Sequence, residues 1–136
     1  MIVVDTGVLL GAADADDDDH DRCSAVLRDH KGELQVPAPV VVETAWQVET
    51  NLGPSSEARF LRLVTTGELK VIELSLDDYR RCVELIETYT DMSLGLVDAS
   101  VITIAERLAV TTLATLNRRD FTVVRPRHVE AFELIP

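Results

Sequence analysis

The chain has 136 residues, a length that suits one domain with its own hydrophobic core. Acidic residues outnumber basic ones by 24 to 13, and the formal net charge of −11 excludes a protein that holds nucleic acid through a broad basic surface. No stretch approaches the roughly 20 apolar residues of a membrane span, and the amino terminus lacks the basic start of a secretion signal, so we expect a cytoplasmic protein.

Two cysteines, Cys23 and Cys82, lie far apart in the sequence, and both fall on apolar positions of predicted helices. The chain has no CxxC pair and no spacing of cysteine and histidine that is typical of a zinc site. We therefore expect both thiols to be small buried hydrophobic groups.

The first part of the chain alternates a strand with two helices. Residues 2–4 are apolar and β-branched, which predicts a buried strand that ends in a turn at Asp5. Residues 8–13 are predicted to form a short helix. The acidic run over residues 14–21, which includes His20, does not place glycine and glutamate where an EF-hand loop needs them. We interpret it as an exposed loop that opens the next helix.

The middle of the chain predicts two more strands and three more helices. Strands are expected over residues 34–36 and 69–74, and helices over residues 40–52, 55–66 and 75–90. Pro37 and Pro39 are expected to break the chain between a strand and a helix. Apolar spacing assigns two buried helix faces, one of Val41, Ala45, Val48 and Leu52 and one of Tyr79, Cys82, Val83 and Ile86. We expect Trp46 to pack inside the protein.

A strongly apolar helix follows at about residue 96. Its apolar residues recur at helical spacing, at Val97, Val101, Ile104, Ala105 and Leu108. Asp98 lies in the first turn, where the helix dipole favours a carboxylate. By itself, this acid is better explained as a residue that compensates the dipole or caps the helix, and a functional role needs partner acids elsewhere in the chain.

The last part of the chain predicts a strand over residues 110–114, directly followed by Asn117 and Asp120, and two short extended pieces over residues 123–125 and 132–135. Strands that alternate with helices along a chain are typical of a parallel α/β sandwich. The fold class predicted from the residues is therefore α/β.

Four acids share a placement next to a strand end or near the start of a helix: Asp5, Glu43, Asp98 and Asp120. Because ligands gather at the carboxyl ends of parallel strands, we expect the four acids to converge on one edge of the sheet. Clustered carboxylates repel one another unless cations neutralise them. Oxygen ligands without histidine or cysteine suit Mg²⁺ or Mn²⁺, which can activate water for attack on a phosphate.

Four motifs in this order resemble the PIN-domain family, and specifically the VapC-type ribonuclease toxins. They are Ile2-Val3-Val4-Asp5-Thr6, Pro37-Ala38-Pro39 before Glu43, Leu94-Gly95-Leu96-Val97-Asp98-Ala99-Ser100 and Thr115-Leu116-Asn117-Arg118-Arg119-Asp120-Phe121. The resemblance covers nearly the whole chain. It implies a single domain over residues 1–136 with a five-stranded parallel sheet in a three-layer α/β/α arrangement. It also implies Mg²⁺-dependent RNA cleavage, a homodimer and inhibition by a VapB-type antitoxin.

The resemblance also implies roles for single residues. Asp5, Glu43 and Asp98 correspond to the three core acids, and Asp5 and Asp98 to direct metal ligands. For the fourth acid, many relatives place an aspartate where this chain has Asn117, while others use the aspartate before phenylalanine. We choose Asp120, with Asn117 as its neighbour.

Three further predictions concern the surroundings of the four acids. Thr6 is expected to donate a hydrogen bond to a metal ligand. Asp91 is either a further acid at the rim or a helix cap. Arg118 and Arg119 are the candidates for contact with RNA phosphates, because they are next to the predicted site in a chain with few bases.

Two other functions compete with the nuclease. A phosphatase of the haloacid-dehalogenase kind also begins with an aspartate after the first strand, but it needs a second aspartate where this chain has Gly7. A PIN-like module that binds RNA or a partner without cutting is the other alternative, and Asn117 in place of an acid favours it.

Overall fold

The sheet of this protein has five strands, and all of them run parallel. The computed structural model describes every residue from Met1 to Pro136. The strands are β1 (Ile2–Val4), β2 (Leu34–Pro37), β3 (Lys70–Ile72), β4 (Thr112–Ala114) and β5 (Glu133–Ile135), in the spatial order β3-β2-β1-β4-β5. The predicted α/β class with a parallel five-stranded sheet is confirmed.

Seven helices flank the sheet and complete the predicted α/β/α arrangement. They are α1 (Thr6–Ala13), α2 (His20–Asp29), α3 (Ala38–Leu52), α4 (Pro54–Thr65), α5 (Leu76–Thr88), α6 (Leu96–Leu108) and α7 (Arg118–Val123). A single turn of 3₁₀ helix, Thr90–Met92, leads into α6. None of the seven helices combines the length and the hydropathy that a bilayer crossing requires.

The strand order creates a crevice between β1 and β4. The chain moves from β1 outward to β2 and β3, and then returns to place β4 on the other side of β1. In parallel sheets, such a reversal opens a crevice at the carboxyl ends of the two strands. Asp5 directly follows β1, and its backbone N–H donates to the carbonyl of Ala114 at the end of β4, 2.9 Å away. The first predicted acid is therefore fixed at this crevice by the sheet itself.

Helix α6 is buried on almost every side. Its seven consecutive residues from Ala99 to Ala105 are all buried, although their apolar spacing marks only one stripe. A helix that is covered all round lies inside the core. Asp98 precedes this stretch, so the core holds the backbone of Asp98 in place.

The boundaries of three predicted elements are wrong by a few residues. Residues 5–7 do not form a turn, because α1 begins at Thr6 directly after the strand. The prolines do not separate β2 from α3, since β2 includes Pro37 and α3 begins at Ala38, with Pro39 in the first turn where a helix tolerates it. Val123 ends α7 rather than starting an extended piece. The first two junctions are tighter than predicted, because β1 and β2 pass directly into α1 and α3.

The buried face of α3 differs from the predicted one. Its buried residues are Val40, Thr44 and Val48, whereas Leu52 is 37% exposed. Trp46 was expected inside the protein and is 64% exposed. Helix α3 is apolar over more than one stripe, so its spacing alone did not decide which stripe faces the core.

The buried face of α5 also differs from the predicted one. Asp78, Cys82 and Leu85 are buried, whereas Tyr79 and Val83 are 47% and 53% exposed. Both cysteines of the chain are buried and free, as predicted. His20 is half-buried rather than exposed, and its Nδ1 lies 2.9 Å from the carbonyl oxygen of Gly11, which joins α2 to α1.

An ion pair with little solvent contact fastens α5 to α6. Arg81 donates to both carboxylate oxygens of Glu106, at 2.8 and 2.9 Å, and the side chains are 16% and 9% exposed. The backbone N–H of Arg127 donates to the same carboxylate at 2.8 Å. Burial would raise the pKa of Glu106, but these hydrogen bonds outweigh it and lower that pKa below 4.5. The ion pair holds the helix that begins with the Asp98 turn.

Candidate active site

Asp5 is the most enclosed of the predicted acids, with 7% of its surface exposed. It caps α1, where its Oδ1 accepts the N–H of Thr6 at 2.8 Å. Its Oδ2 accepts the hydroxyl of Thr115 at 2.8 Å. Burial raises the pKa of Asp5, these two donors lower it in part, and the charge of Glu43 raises it further. Asp5 is therefore a carboxylate held in one orientation and short of positive charge.

Glu43 faces the same crevice from α3. Its Oε2 accepts the hydroxyl of Thr6 at 2.7 Å, across 37 residues of chain. Thr6 thus touches two acids, because its N–H donates to Asp5. The predicted role of Thr6 as a donor to a site carboxylate has this geometric support. Glu43 lies in the second turn of α3, because the helix starts at Ala38, two residues before the predicted start.

Asp98 lies in the first turn of α6, half-buried, and no protein donor forms a hydrogen bond with its carboxylate. Burial raises its pKa from 3.8 to about 6, and the negative charges of Asp5, Asp120 and Glu43 contribute to the rise. The charges of the three other predicted acids therefore all act on Asp98. The structure brings them together at the crevice.

Asp120 and Asn117 form a pair at the start of α7. The amide Nδ2 of Asn117 donates to Oδ2 of Asp120 at 3.0 Å, and Oδ1 of Asn117 accepts the N–H of Asp120 at 3.3 Å. Asn117 caps α7 in this way, so both ends of its amide are engaged. Asp120 is the residue of this pair whose charge acts on Asp98. This arrangement favours Asp120 as the fourth acid and Asn117 as its neighbour.

The four carboxylates are close together, but they do not surround a single metal position in this structure. No three side chains of histidine, cysteine, aspartate or glutamate are arranged closely enough to hold a metal ion. Protein donors engage three of the acids, and mutual repulsion disfavours a closer approach without a cation. The metal ligands available are nevertheless all carboxylate oxygens, and burial together with neighbouring negative charge raises the pKa of Asp5 and Asp98. In charge and donor type, the site fits a hard divalent cation.

The three remaining predicted site residues, Asp91, Arg118 and Arg119, differ in their surroundings and in their hydrogen-bond partners. Asp91 is exposed in the 3₁₀ turn, and its charge is not among those that raise the pKa of Asp98. Arg118 donates to the carbonyl of Leu134 at 3.2 Å and to that of Pro136, so it fastens the carboxyl terminus. Arg119 is exposed and has no hydrogen-bond or ion-pair partner. Of the two arginines, only Arg119 is free to bind a phosphate.

Thr115 is a site residue that the sequence analysis missed. It directly follows β4, is fully buried, and donates to Asp5 while it accepts the N–H of Asn117 at 3.0 Å. The signal for it was present, because a threonine at the end of a predicted strand, two residues before Asn117, lies at the same sheet edge as Asp5. Threonine is common in strands, and this residue type alone did not indicate a role.

The comparison with protein families decides which family this fold belongs to. A family model described as the PIN domain matches residues 2–125. The chain belongs to the PIN domain family. The resemblance inferred from the four motifs is thereby confirmed, and the four acids discussed above all lie inside the matched part of the PIN domain.

Several known proteins are similar to this PIN domain over nearly their whole length. Ribonuclease VapC26 of Mycobacterium tuberculosis is 29% identical over 135 residues, which cover 99% of this chain and 100% of the relative. Among solved structures, VapC20 of M. tuberculosis, described as a toxin that cleaves the sarcin-ricin loop, superposes with a TM-score of 0.85 at 15% identity over 96% of this chain and 99% of that one. A toxin–antitoxin complex from Klebsiella pneumoniae has a TM-score of 0.69 at 20% identity over 91% and 92% of the two chains.

Proposed function

We propose that this PIN domain is a metal-dependent endoribonuclease and the toxin of a VapBC-type toxin–antitoxin pair that acts on RNA in the cytoplasm. The observation that carries the proposal is the meeting of Asp5, Glu43, Asp98 and Asp120, from four separate elements, in one crevice where their charges act on one another. Helix capping alone does not explain this arrangement, because carboxylates that are held close together repel one another unless a cation neutralises them. The similarity to a relative named as a ribonuclease supports the same function.

Asp5 and Asp98 are the residues that would hold Mg²⁺ or Mn²⁺. Such an ion, when bound, supplies an activated water and stabilises negative charge on the scissile phosphate. Thr6 and Thr115 fix the orientation of Asp5, and Thr6 also fixes Glu43. Asp98 has no protein donor, so its oxygens remain free for a cation. Glu43 and Asp120 would add negative charge to the site and could accept protons from water.

Metal removal tests this proposal directly. We expect the purified protein to cut RNA in the presence of Mg²⁺ or Mn²⁺ and to lose the activity in excess EDTA, because four uncompensated carboxylates repel a phosphate. Recovery of cleavage on addition of Mn²⁺ to the chelated protein is the control. Binding of Mn²⁺ and RNA without any cut would instead identify a binding module, and cleavage that survives EDTA would refute the metal-dependent mechanism.

Arg119 is proposed to contact an RNA phosphate. We expect Arg119→Ala to weaken RNA binding about fivefold for every sequence, with a salt slope lower by about one and with kcat nearly unchanged, because it removes one phosphate contact. The measurement is RNA binding and KM at several salt concentrations. Arg62→Ala is the matched control, since Arg62 is also exposed and unpaired but lies on α4, which carries none of the four site acids. An equal loss in both variants would argue against a specific contact.

We propose that the protein forms a homodimer through a surface that we call the outer face. The outer face comprises Val42, Trp46, Leu76, Tyr79, Val83 and Leu96, which are 41% to 69% exposed. These are six of the ten large hydrophobic residues that the structure leaves exposed. Val42, Trp46, Tyr79 and Leu96 line one concavity with Glu43, and the two remaining residues extend the face along α5. Contiguous apolar surfaces of this kind mark protein interfaces, and one that two copies share can close with twofold symmetry.

Val83→Lys tests the homodimer. We expect it to raise the dimer dissociation constant about 100-fold or more, because dimerisation would bury an unpaired charge. Sedimentation equilibrium of the wild type and the variant measures the effect. Leu61→Lys is the matched control, because Leu61 is 38% exposed on α4 and lies outside the outer face. A wild-type protein that stays monomeric, or a variant that dimerises like the wild type, would contradict the assignment.

The antitoxin is proposed to bind a different surface, a groove between α1, α2 and α4. Its apolar lining includes Leu9, Ala12, Leu27, Phe60 and Leu63, and Ala15 brings the acidic run over residues 14–21 to its edge. An apolar segment with basic residues beside it would match both features of this groove. The complex from K. pneumoniae is a toxin bound to its antitoxin, and its similar fold supports such a partner.

A further inference from the structure

The hydroxyl of Thr115 connects two arms of the acid cluster. Its oxygen accepts the N–H of Asn117 at 3.0 Å, and its hydrogen is donated to Oδ2 of Asp5 at 2.8 Å, across 110 residues of chain. An ionised carboxylate only accepts hydrogen bonds, so the single hydrogen of the hydroxyl is committed to Asp5. Because Thr115 is fully buried, water does not compete for either bond.

The connection continues from Asn117 to Asp120. The side chain of Asn117 donates to one oxygen of Asp120 and accepts the N–H of the same residue. A displacement of Thr115 would therefore change the positions of Asp5 and Asp120 together. The other buried hydroxyls make different contacts: Thr6 donates to Glu43, Thr103 lies 3.5 Å from Sγ of Cys82, Ser100 donates to the carbonyl of Val97 in its own helix, and Thr44 has no partner. Thr115 is therefore the buried hydroxyl that joins Asp5 to the pair of Asn117 and Asp120.

We propose that Thr115 is a positioning residue, which fixes Asp5 relative to Asp120 and determines which oxygen lone pairs of Asp5 face the crevice. A carboxylate offers about four lone-pair sites, and the donors Thr6 and Thr115 engage one on each oxygen. The remaining sites are left for a hard cation. The inference rests on the proposed function in one respect, namely that a divalent cation binds between these acids. Thr115 itself touches neither the cation nor the RNA.

Binding of Mn²⁺ to the purified full chain, without RNA, tests the inference. Thr115→Val removes the hydroxyl and keeps the shape, and we expect its Mn²⁺ dissociation constant to rise about tenfold or more, as is typical when a residue behind a metal ligand is lost. Thr115→Ser keeps the hydroxyl and is expected to stay within about twofold of the wild type. In a parallel RNA assay, kcat of the valine variant should fall while KM stays the same.

Thr44→Val is the matched control, because it removes a buried hydroxyl that has no partner and should leave Mn²⁺ binding unchanged. If Thr115→Val does not fold by circular dichroism, Thr115→Ala against Thr115→Ser makes the same comparison. Wild-type affinity in the variant without the hydroxyl, or an equal loss in the serine variant, would overturn the inference even if the protein cuts RNA. If the wild type binds Mn²⁺ but cuts no RNA, the proposed function fails, while a weakened valine variant would still support the role of Thr115.

Discussion

Asp98→Asn is expected to abolish RNA cleavage and to stabilise the folded protein at neutral pH. Cleavage should fall about 1,000-fold or more, because the variant loses a charged ligand of the proposed ion while its shape is preserved. The pKa of Asp98 is raised from 3.8 to about 6, so its charged form opposes folding. A shift of this size corresponds to about 3 kcal/mol, which we reduce to about 1–2 kcal/mol because the half-exposed side chain is screened by solvent.

The pH dependence gives this prediction a second test. A carboxyl group whose pKa is raised in the folded state contributes to the stability of the fold at a pH below its ordinary pKa of 3.8. This contribution is lost as the pH rises through the folded-state pKa of about 6. The stability advantage of Asp98→Asn should therefore be nearly absent at low pH and complete above about pH 6. Thermal unfolding of both proteins across this range measures it. The expected difference in Tm at neutral pH is about 3–6 °C.

Divalent cations should make the wild type more stable than Asp98→Asn, which reverses the order of stability expected without a metal. Mn²⁺ at about 100 times its Kd would stabilise the wild type by about 2.7 kcal/mol and the variant by much less. Asp91→Asn is the matched control, because Asp91 is exposed outside the acid cluster, and neither its activity nor its pH profile should change. Full cleavage by Asp98→Asn, or the same gain in stability from Asp91→Asn, would contradict our interpretation of the site.

Arg81→Ala is expected to destabilise the protein by about 3 kcal/mol, the largest effect on folding that we predict. The variant leaves the carboxylate of Glu106, which is 9% exposed, with only the N–H of Arg127 as a donor. An uncompensated buried charge is costly, whereas an exposed ion pair contributes little. Urea denaturation at pH 7 measures the free energy of unfolding.

Two comparisons decide whether the ion pair causes this loss. Arg80→Ala removes the neighbouring arginine, which pairs with Asp77; the two side chains are 65% and 88% exposed. We expect this variant to lower the free energy of unfolding by only about 0.5 kcal/mol. Since the pKa of Glu106 is lowered, the ion pair contributes stability above the ordinary value of 4.5 and loses it as the pH falls through the folded-state pKa. The deficit of Arg81→Ala should therefore shrink in acid. A deficit that is independent of pH would point to lost packing of the arginine stem instead.

The helices α3 and α5 show that the sequence predicts the position of a helix better than it predicts which face of the helix is buried. Apolar spacing located α3 and α5 to within a few residues, but it assigned Tyr79, Val83 and Leu52 to the core although all three are exposed. Apolar spacing indicates that a helix face is shielded from water, but it does not indicate whether the core or another molecule covers that face. Tyr79 and Val83 belong to the outer face, for which a second copy of the chain is the proposed cover.

The sequence by itself determined the fold class and the family, because these depend on the order of strands, helices and motifs along the chain, and it predicted the four acids as the site. Only the tertiary structure decided that Asn117 caps α7 and donates to Asp120, that Arg118 fastens the carboxyl terminus while Arg119 stays free, and that Thr115 connects the acids. The physical reason is the distance along the chain. A contact such as that between Thr115 and Asp5 spans 110 residues, and it forms only because β1 and β4 are neighbours in the sheet.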